Sequence, residues 1–306
     1  MRALLALLAA LLAAPATASA AVPTIGIGEQ HPQLFTQPRF HDLGVDHVRF
    51  IASWDAFSSP WQLREIDAYM QAARAADVKV LLGFGRSRDP RRSHKLPSPR
   101  AYEREIRKFR ARYPEVTEWL TWNEANHCSQ PTCRNPRRAA QFYRALRRNC
   151  SRCTIVAASV LDSSKMVDWV KEFQRAAGGN PRRLVWGLHN YIDANLFRTR
   201  GTRALLGAVK GDVWFTETGG IIKRNNRSTL RLPESSRHAA KATSFVFKLA
   251  ALSKRVKRVY LYHWAPAPTT LPTWDSALVD RNTKPRPAYY VLLSWLRKHH
   301  VARSSG

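Results

Sequence analysis

Thr121-Trp122-Asn123-Glu124-Ala125-Asn126-His127 and Trp214-Phe215-Thr216-Glu217-Thr218-Gly219-Gly220 decide how this chain reads. Each closes an apolar run with a glutamate, at the point where a buried strand runs out into a loop. Two carboxylates at the ends of two strands suit the cleavage of a glycosidic bond. One holds a proton for the leaving oxygen, and the other attacks or activates water.

Around those segments, apolar β-branched runs alternate with longer amphipathic stretches. Strands are expected at residues 24–28, 47–53, 78–85, 115–123, 154–161, 184–191, 212–217 and 259–264. Helical spacing occupies 61–76, 99–113, 136–149, 166–176, 235–253 and 288–299. Ser98-Pro99 and Asn135-Pro136 are helix starts, with proline where its missing N–H costs nothing. Eight strands, each followed by a helix or a long connection, predict an α/β protein: a (β/α)8 TIM barrel in a single domain, residues 21–306. Gly26-Ile27-Gly28-Glu29 does not complete a dinucleotide-binding fingerprint, so an open nucleotide-binding sheet is disfavoured.

Residues 1–20 read as a secretion signal. Arg2 supplies the positive start, Ala3 to Ala13 the apolar core, and Ala18-Ser19-Ala20 the small-residue cleavage site. The apolar core is too short to span a bilayer and no second long apolar run follows, so no transmembrane segment is expected after its removal. The four cysteines, Cys128, Cys133, Cys150 and Cys153, suit disulfides in an exported chain. The simplest connectivity is local, Cys128–Cys133 and Cys150–Cys153; a four-cysteine zinc knuckle is the alternative.

The formal net charge is +28. Attraction to an anionic cell envelope, nucleic-acid binding and an arginine-rich composition without a partner all account for it. The basic residues are spread over most of the helices rather than gathered in one arm, which argues against a dedicated nucleic-acid module.

Active sites of such barrels form at the carboxyl ends of the strands. The expected mouth therefore includes Arg49 and Trp54 from the second strand, Trp122, Asn123 and Glu124 from the fourth, His189 and Tyr191 from the sixth, Glu217 from the seventh and Trp264 from the eighth. Arg49 and the Tyr191 phenol are expected beside Glu217, the nucleophile. Glu124, following Trp122, is expected to be poorly solvated, with a raised pKa suited to a general acid. Asn123 is expected to bind the sugar 2-hydroxyl and Trp264 to form the floor under the ring. Trp54, Trp122 and His189 complete the expected substrate contacts. No metal and no cofactor are called for.

On these residues the chain resembles the retaining glycoside hydrolases of the (β/α)8 clan that contains families 5 and 39, including exported actinobacterial barrels of that group. Those enzymes carry an Asn-Glu acid/base at the end of strand four and a Glu nucleophile at the end of strand seven. Asn123-Glu124 and Glu217 match them, as do His189, Tyr191 and Trp264. The resemblance implies a secreted glycosidase acting by double displacement on an extracellular or envelope polysaccharide. The rival expectation is a barrel that holds a glycan without cleaving it.

Overall fold

The computed structural model describes residues 22–224, 230–267 and 274–299. The expected secretion signal, residues 1–20, lies outside them. Eight parallel strands close into a barrel: β1 (Thr24–Gly28), β2 (His47–Ser53), β3 (Lys79–Gly85), β4 (Glu118–Leu120), β5 (Thr154–Leu161), β6 (Val185–His189), β7 (Val213–Thr218) and β9 (Val256–Tyr262), the last pairing back to β1. A two-stranded antiparallel patch, β8 (Lys223–Arg224) with β10 (Trp274–Asp275), joins the loops that follow β7 and β9.

The outer layer consists of α1 (Pro38–His41), α2 (Pro60–Ala75), α3 (Pro99–Arg112), α4 (Pro136–Asn149), α5 (Met166–Ala177), α6 (Tyr191–Leu196), α7 (Arg200–Ala208), α8 (Ser236–Ala250) and α9 (Pro287–Lys298). The main helices fall where helical spacing placed them. The short α1, α6 and α7 carry too few apolar positions for periodicity to reveal. No helix among the described residues is long and apolar enough to cross a membrane.

Two cores hold the barrel. The larger lies between strands and helices and includes Ile27, Val48, Phe84, Trp119, Val160, Leu188, Phe215 and Leu261. The smaller fills the barrel itself with Leu81, Leu120, Val156, Trp214 and Tyr260. These are the two faces expected of strands buried on both sides. Below the inner layer Arg258 grips Glu118 through both guanidinium nitrogens, at 2.5 and 2.6 Å. Gly187 lets strands five and seven approach: a Cβ there would lie 2.5 Å from Ser159 Oγ and 2.7 Å from Thr216 Oγ1, which hydrogen-bond each other across it.

The cysteines pair as Cys128–Cys133 and Cys150–Cys153, so the zinc-knuckle alternative is not taken up. The first bridge closes the loop after β4, which folds back on the barrel. There Gln130 accepts from Trp122 Nε1 at 3.1 Å, and Thr132 donates to the Ala125 carbonyl at 2.9 Å.

Candidate active site

Simple alternation would bring neither Asn123 nor Glu217 to the mouth. Leu120 points into the barrel, so an ideal strand would turn Trp122 and Glu124 inward and Asn123 outward. Instead β4 stops at Leu120 and the chain shifts by one position. Trp122 swings out to stack on Phe142 beside Tyr102, and Asn123 turns in. Glu124 sits in the left-handed region at φ 49°. Only a few per cent of non-glycine residues adopt that conformation, and it clusters at functional sites.

Strand seven uses a bulge. Gly187 pairs with Trp214, but His189, two residues on, pairs with Glu217, three residues on. The extra residue on β7 turns Glu217 toward the mouth although Trp214 and Thr216 already point inward, which is the re-aiming that bulges provide.

Around these two carboxylates the buried groups form a closed network. Arg49, fully enclosed, donates from Nη1 to Glu217 Oε2 at 2.9 Å and from Nη2 to Asn123 Oδ1 at 2.5 Å. Tyr191 Oη donates to Glu217 Oε1 at 3.2 Å. Both oxygens of Glu217 are thereby oriented. His189 Nδ1 lies 3.3 Å from Glu124 Oε1 and 3.8 Å from Glu217 Oε2, with its Nε2 3.5 Å from Arg49. A carboxylate oxygen of Glu124, one of Glu217 and an imidazole nitrogen of His189 all fall within 4.8 Å of one another. Those three donors match a cation site in type. The guanidinium hydrogen-bonded to Glu217 places a permanent positive charge against the same spot, which opposes a cation there.

The structure brings Arg49, Asn123, Glu124, His189, Tyr191 and Glu217 together. The raised pKa expected for Glu124 is corrected. Burial pushes this carboxyl up, but the hydrogen bond and positive charge of His189, helped by His127 and Arg49, outweigh burial and hold it below the usual carboxylate value. Tyr191 also departs from expectation in its setting: β6 ends at His189 and Tyr191 opens α6.

The expected tryptophan contacts are corrected too. Trp264 is 2% exposed, lies beyond the end of β9 and packs edge-on against Phe40 and Tyr289, so it is core rather than sugar floor. Trp122 is fully buried. Trp54 is buried under the Arg92 guanidinium, 5.3 Å from its ring.

Residues missed in the sequence take their places. Tyr262 follows inward-facing Arg258 and Tyr260 by plain alternation and reaches the mouth. Burial pushes its phenol well above the usual tyrosine value, with the carboxylates of Glu217, Glu29 and Glu124 adding to the rise and Arg49 opposing it. The Val259-Tyr260-Leu261-Tyr262 pattern carried that signal. Trp274, on β10, meets Tyr191 edge-on at 4.7 Å. Glu29, at the end of β1, accepts backbone hydrogen bonds from Gln30, His31, Trp264 and Ala265, tying the first loop to the last.

A cleft of about 870 Å³ opens beside this network over the carboxyl ends of β1 to β3, with Asn123 and Tyr262 at its inner end and Trp61 at its outer end.

Fold and site together define a (β/α)8 barrel with paired carboxylates at its mouth. No protein-family model matches the chain, and no curated protein resembles it significantly in sequence. Its fold is shared with solved structures. A family 5, subfamily 18 glycoside hydrolase from Streptomyces cattleya in complex with GlcNAc superposes with TM-score 0.67 at 16% identity, over 94% of this chain and 82% of that one. A family 10 endoxylanase from a sugarcane soil metagenome gives 0.62 at 17%, over 89% of this chain and 96% of that one. A family 39 glycoside hydrolase from Bacteroides cellulosilyticus gives 0.58 at 12%, over 89% of this chain and 63% of that one.

Proposed function

We propose that this protein is a retaining glycoside hydrolase, exported from the cell and acting on an extracellular or envelope polysaccharide. The observation that carries the reading is the placing of two glutamates at one barrel mouth with carboxylate oxygens within 4.8 Å. Retaining enzymes hold their carboxyl groups about 5–5.5 Å apart, and inverting ones about 6.5–9.5 Å to admit a water. The glycosidase folds it superposes on support the same reading, as do the signal-like start and the disulfides for export.

The geometry supports a division of roles between the two carboxylates. Glu217, with one oxygen held by Arg49 and the other by Tyr191, is the oriented nucleophile. Its oxygen bonds to the anomeric carbon as the glycosidic C–O bond breaks. Glu124 delivers a proton to the leaving oxygen, and His189, at 3.3 Å, is the group placed to share that proton with it. Glu124 then takes a proton from water, whose oxygen replaces Glu217 at the anomeric carbon. Asn123, turned inward and gripped by Arg49, is placed to bind the 2-hydroxyl. A protein that merely held a glycan would not need a nucleophile clamped at both oxygens beside a second carboxylate.

The test is trapping. Aryl 2-deoxy-2-fluoro glycosides with a dinitrophenyl leaving group, presented as a panel of sugars, are expected to inactivate the enzyme and leave the fluorosugar on the Glu217 peptide. Label on any other residue, or hydrolysis with inverted configuration, refutes the assignment.

A further inference from the structure

The cleft beside the paired carboxylates is not electrically neutral. Three arginines, Arg64, Arg86 and Arg88, line it against a single carboxylate, Glu65. Arg88 is fixed in place: it pairs with Glu65 at 2.7 Å and lies over the Trp61 ring at 4.3 Å. Arg86 is fixed by a neutral partner, donating from Nη1 to the Ser129 carbonyl at 3.2 Å, while its backbone N–H donates to Gln130. Both partners belong to the loop closed by Cys128–Cys133. Among the described residues Arg64 and Arg86 have no carboxylate within ion-pair distance. Two guanidinium charges therefore stand uncompensated along a path that ends at Asn123.

A cleft for neutral sugars has no use for this arrangement. Hydroxyls are well served by amides and carboxylates, whereas planar guanidinium forks match carboxylate and phosphate oxygens. Trp61, 42% exposed, already carries a guanidinium on its ring, which removes one face from sugar stacking. Holding Arg88 there and Arg86 on the disulfide loop fixes two positive groups in advance of a ligand, which reduces the ordering cost of binding.

We infer that the substrate of the proposed glycosidase is an acidic glycan, one bearing carboxylate or phosphate groups on the sugars that occupy the cleft over β1 to β3. This inference rests on the glycosidase reading for its reaction but not for its binding site. The overall charge of +28 adds long-range attraction for any polyanion. The cleft adds position.

The experiment measures binding of the Glu217→Gln protein to matched polymers: carboxymethylcellulose against hydroxyethylcellulose, glucuronoxylan against arabinoxylan, and, as the phosphate arm, glycerol-phosphate teichoic acid against neutral glucan. A cleft variant, Arg64→Gln with Arg86→Gln and Arg88→Gln, is compared with a control of equal charge change. The control carries Arg104→Gln, Arg107→Gln and Arg237→Gln at exposed positions of α3 and α8. Thermal melts confirm that both fold.

At least one acidic polymer is expected to bind well above its neutral partner. That preference should fall about tenfold in the cleft variant, the effect of three surface ion pairs of ordinary strength, and stay within about twofold in the control. Which acidic polymer responds separates carboxylate from phosphate. No preference for any acidic polymer, or equal losses in both variants, overturns the inference. Hydrolysis by the wild-type protein is scored separately. Cleavage of neutral polymers alone, unaffected by the cleft variant, sinks the acidic substrate and leaves the glycosidase reading standing. Acidic polymers bound through the cleft but cleaved by no preparation would sink the glycosidase reading and leave the acidic ligand.

Discussion

Arg49→Met tests whether the buried guanidinium organises the site. Arg49 is fully enclosed and its Nη1 lies 2.9 Å from Glu217, whose side chain is 13% exposed. At an effective dielectric of about 20, unit charges some 4 Å apart attract by about 4 kcal/mol, and desolvation offsets part of that. Removing one partner of a buried pair strands the other and costs about 3–5 kcal/mol. Glu217 keeps some access to water and keeps Tyr191, so the low end, about 3 kcal/mol, applies. For a domain of this size about 1 kcal/mol moves Tm by about 2–4 °C, giving a fall of about 6–12 °C. Glu217→Gln strands Arg49 instead and should also destabilise. Together, Arg49→Met and Glu217→Gln remove the pair without leaving a charge behind, so the double variant should lose less than the two single variants combined. The assay is calorimetric melting of the four proteins at low and high salt. Losses that add within about 0.5 kcal/mol, or a coupling that disappears in high salt as an exposed pair's would, refute the buried-network account.

Other perturbations separate the roles of individual carboxylates. Glu217→Ala should abolish turnover on every substrate, whereas Glu124→Ala should retain much more activity on an activated aryl glycoside than on an unactivated one. Azide should rescue Glu124→Ala with retained configuration, and equal losses on both substrate types without rescue would refute the division. Because Glu124 is held at φ 49°, Glu124→Gly should be more stable than Glu124→Ala by about 1 kcal/mol while equally impaired on unactivated substrates, as read from melts and rates. Burial, with the neighbouring Asp193 charge, lifts the Asp162 carboxyl to about 7, though the Asp193 N–H donated to it opposes the rise. The folded state then holds a proton that the unfolded state has released from about pH 4 upward, so stability falls as pH rises from about 4 to 7. Asp162→Asn should remove that decline and raise Tm at pH 8 relative to wild type; an unchanged pH–Tm curve would refute it.

The barrel was legible because its signal is repeated: eight apolar runs with amphipathic stretches between them, each reinforcing the others. The charged half of the site was legible for a related reason. Arg49, Asn123, Glu124, His189 and Glu217 are polar residues in or just beyond apolar runs, and burying them unpaired would be costly, so they had to meet. The aromatic half was misread because a tryptophan at a strand end satisfies core and cleft equally well in sequence. Trp54, Trp122 and Trp264 went to the core, where each ring meets helices or loops packed outside the barrel. The direction of a side chain there depends on where a strand stops and whether it bulges, and neither leaves a local trace. Tyr262 shows the converse, since β9 is regular and its alternation alone pointed the phenol inward. The direction of the Glu124 pKa is not legible locally, because the imidazole that opposes burial arrives from β6, a contact 65 positions away in the chain.

The irregularities of the mouth belong together. Regular strands would leave Asn123 facing outward, and β7 could not present both Thr216 and Glu217 to the interior. A shift at the end of β4, a left-handed Glu124 and a bulge in β7 each forgo ladder hydrogen bonds or relaxed backbone, and each delivers one polar group to the same small volume. Arg49 on regular β2 is what those displaced groups converge on. It donates hydrogen bonds to Asn123 and Glu217 and stands beside His189, so the electrostatic energy of one buried guanidinium offsets the distortions of two strands. On that account the distortions depend on the arginine rather than the reverse. Loss of Arg49 should let β7 and the β4 exit relax, and the relaxation should reach Glu124, which Arg49 does not contact directly.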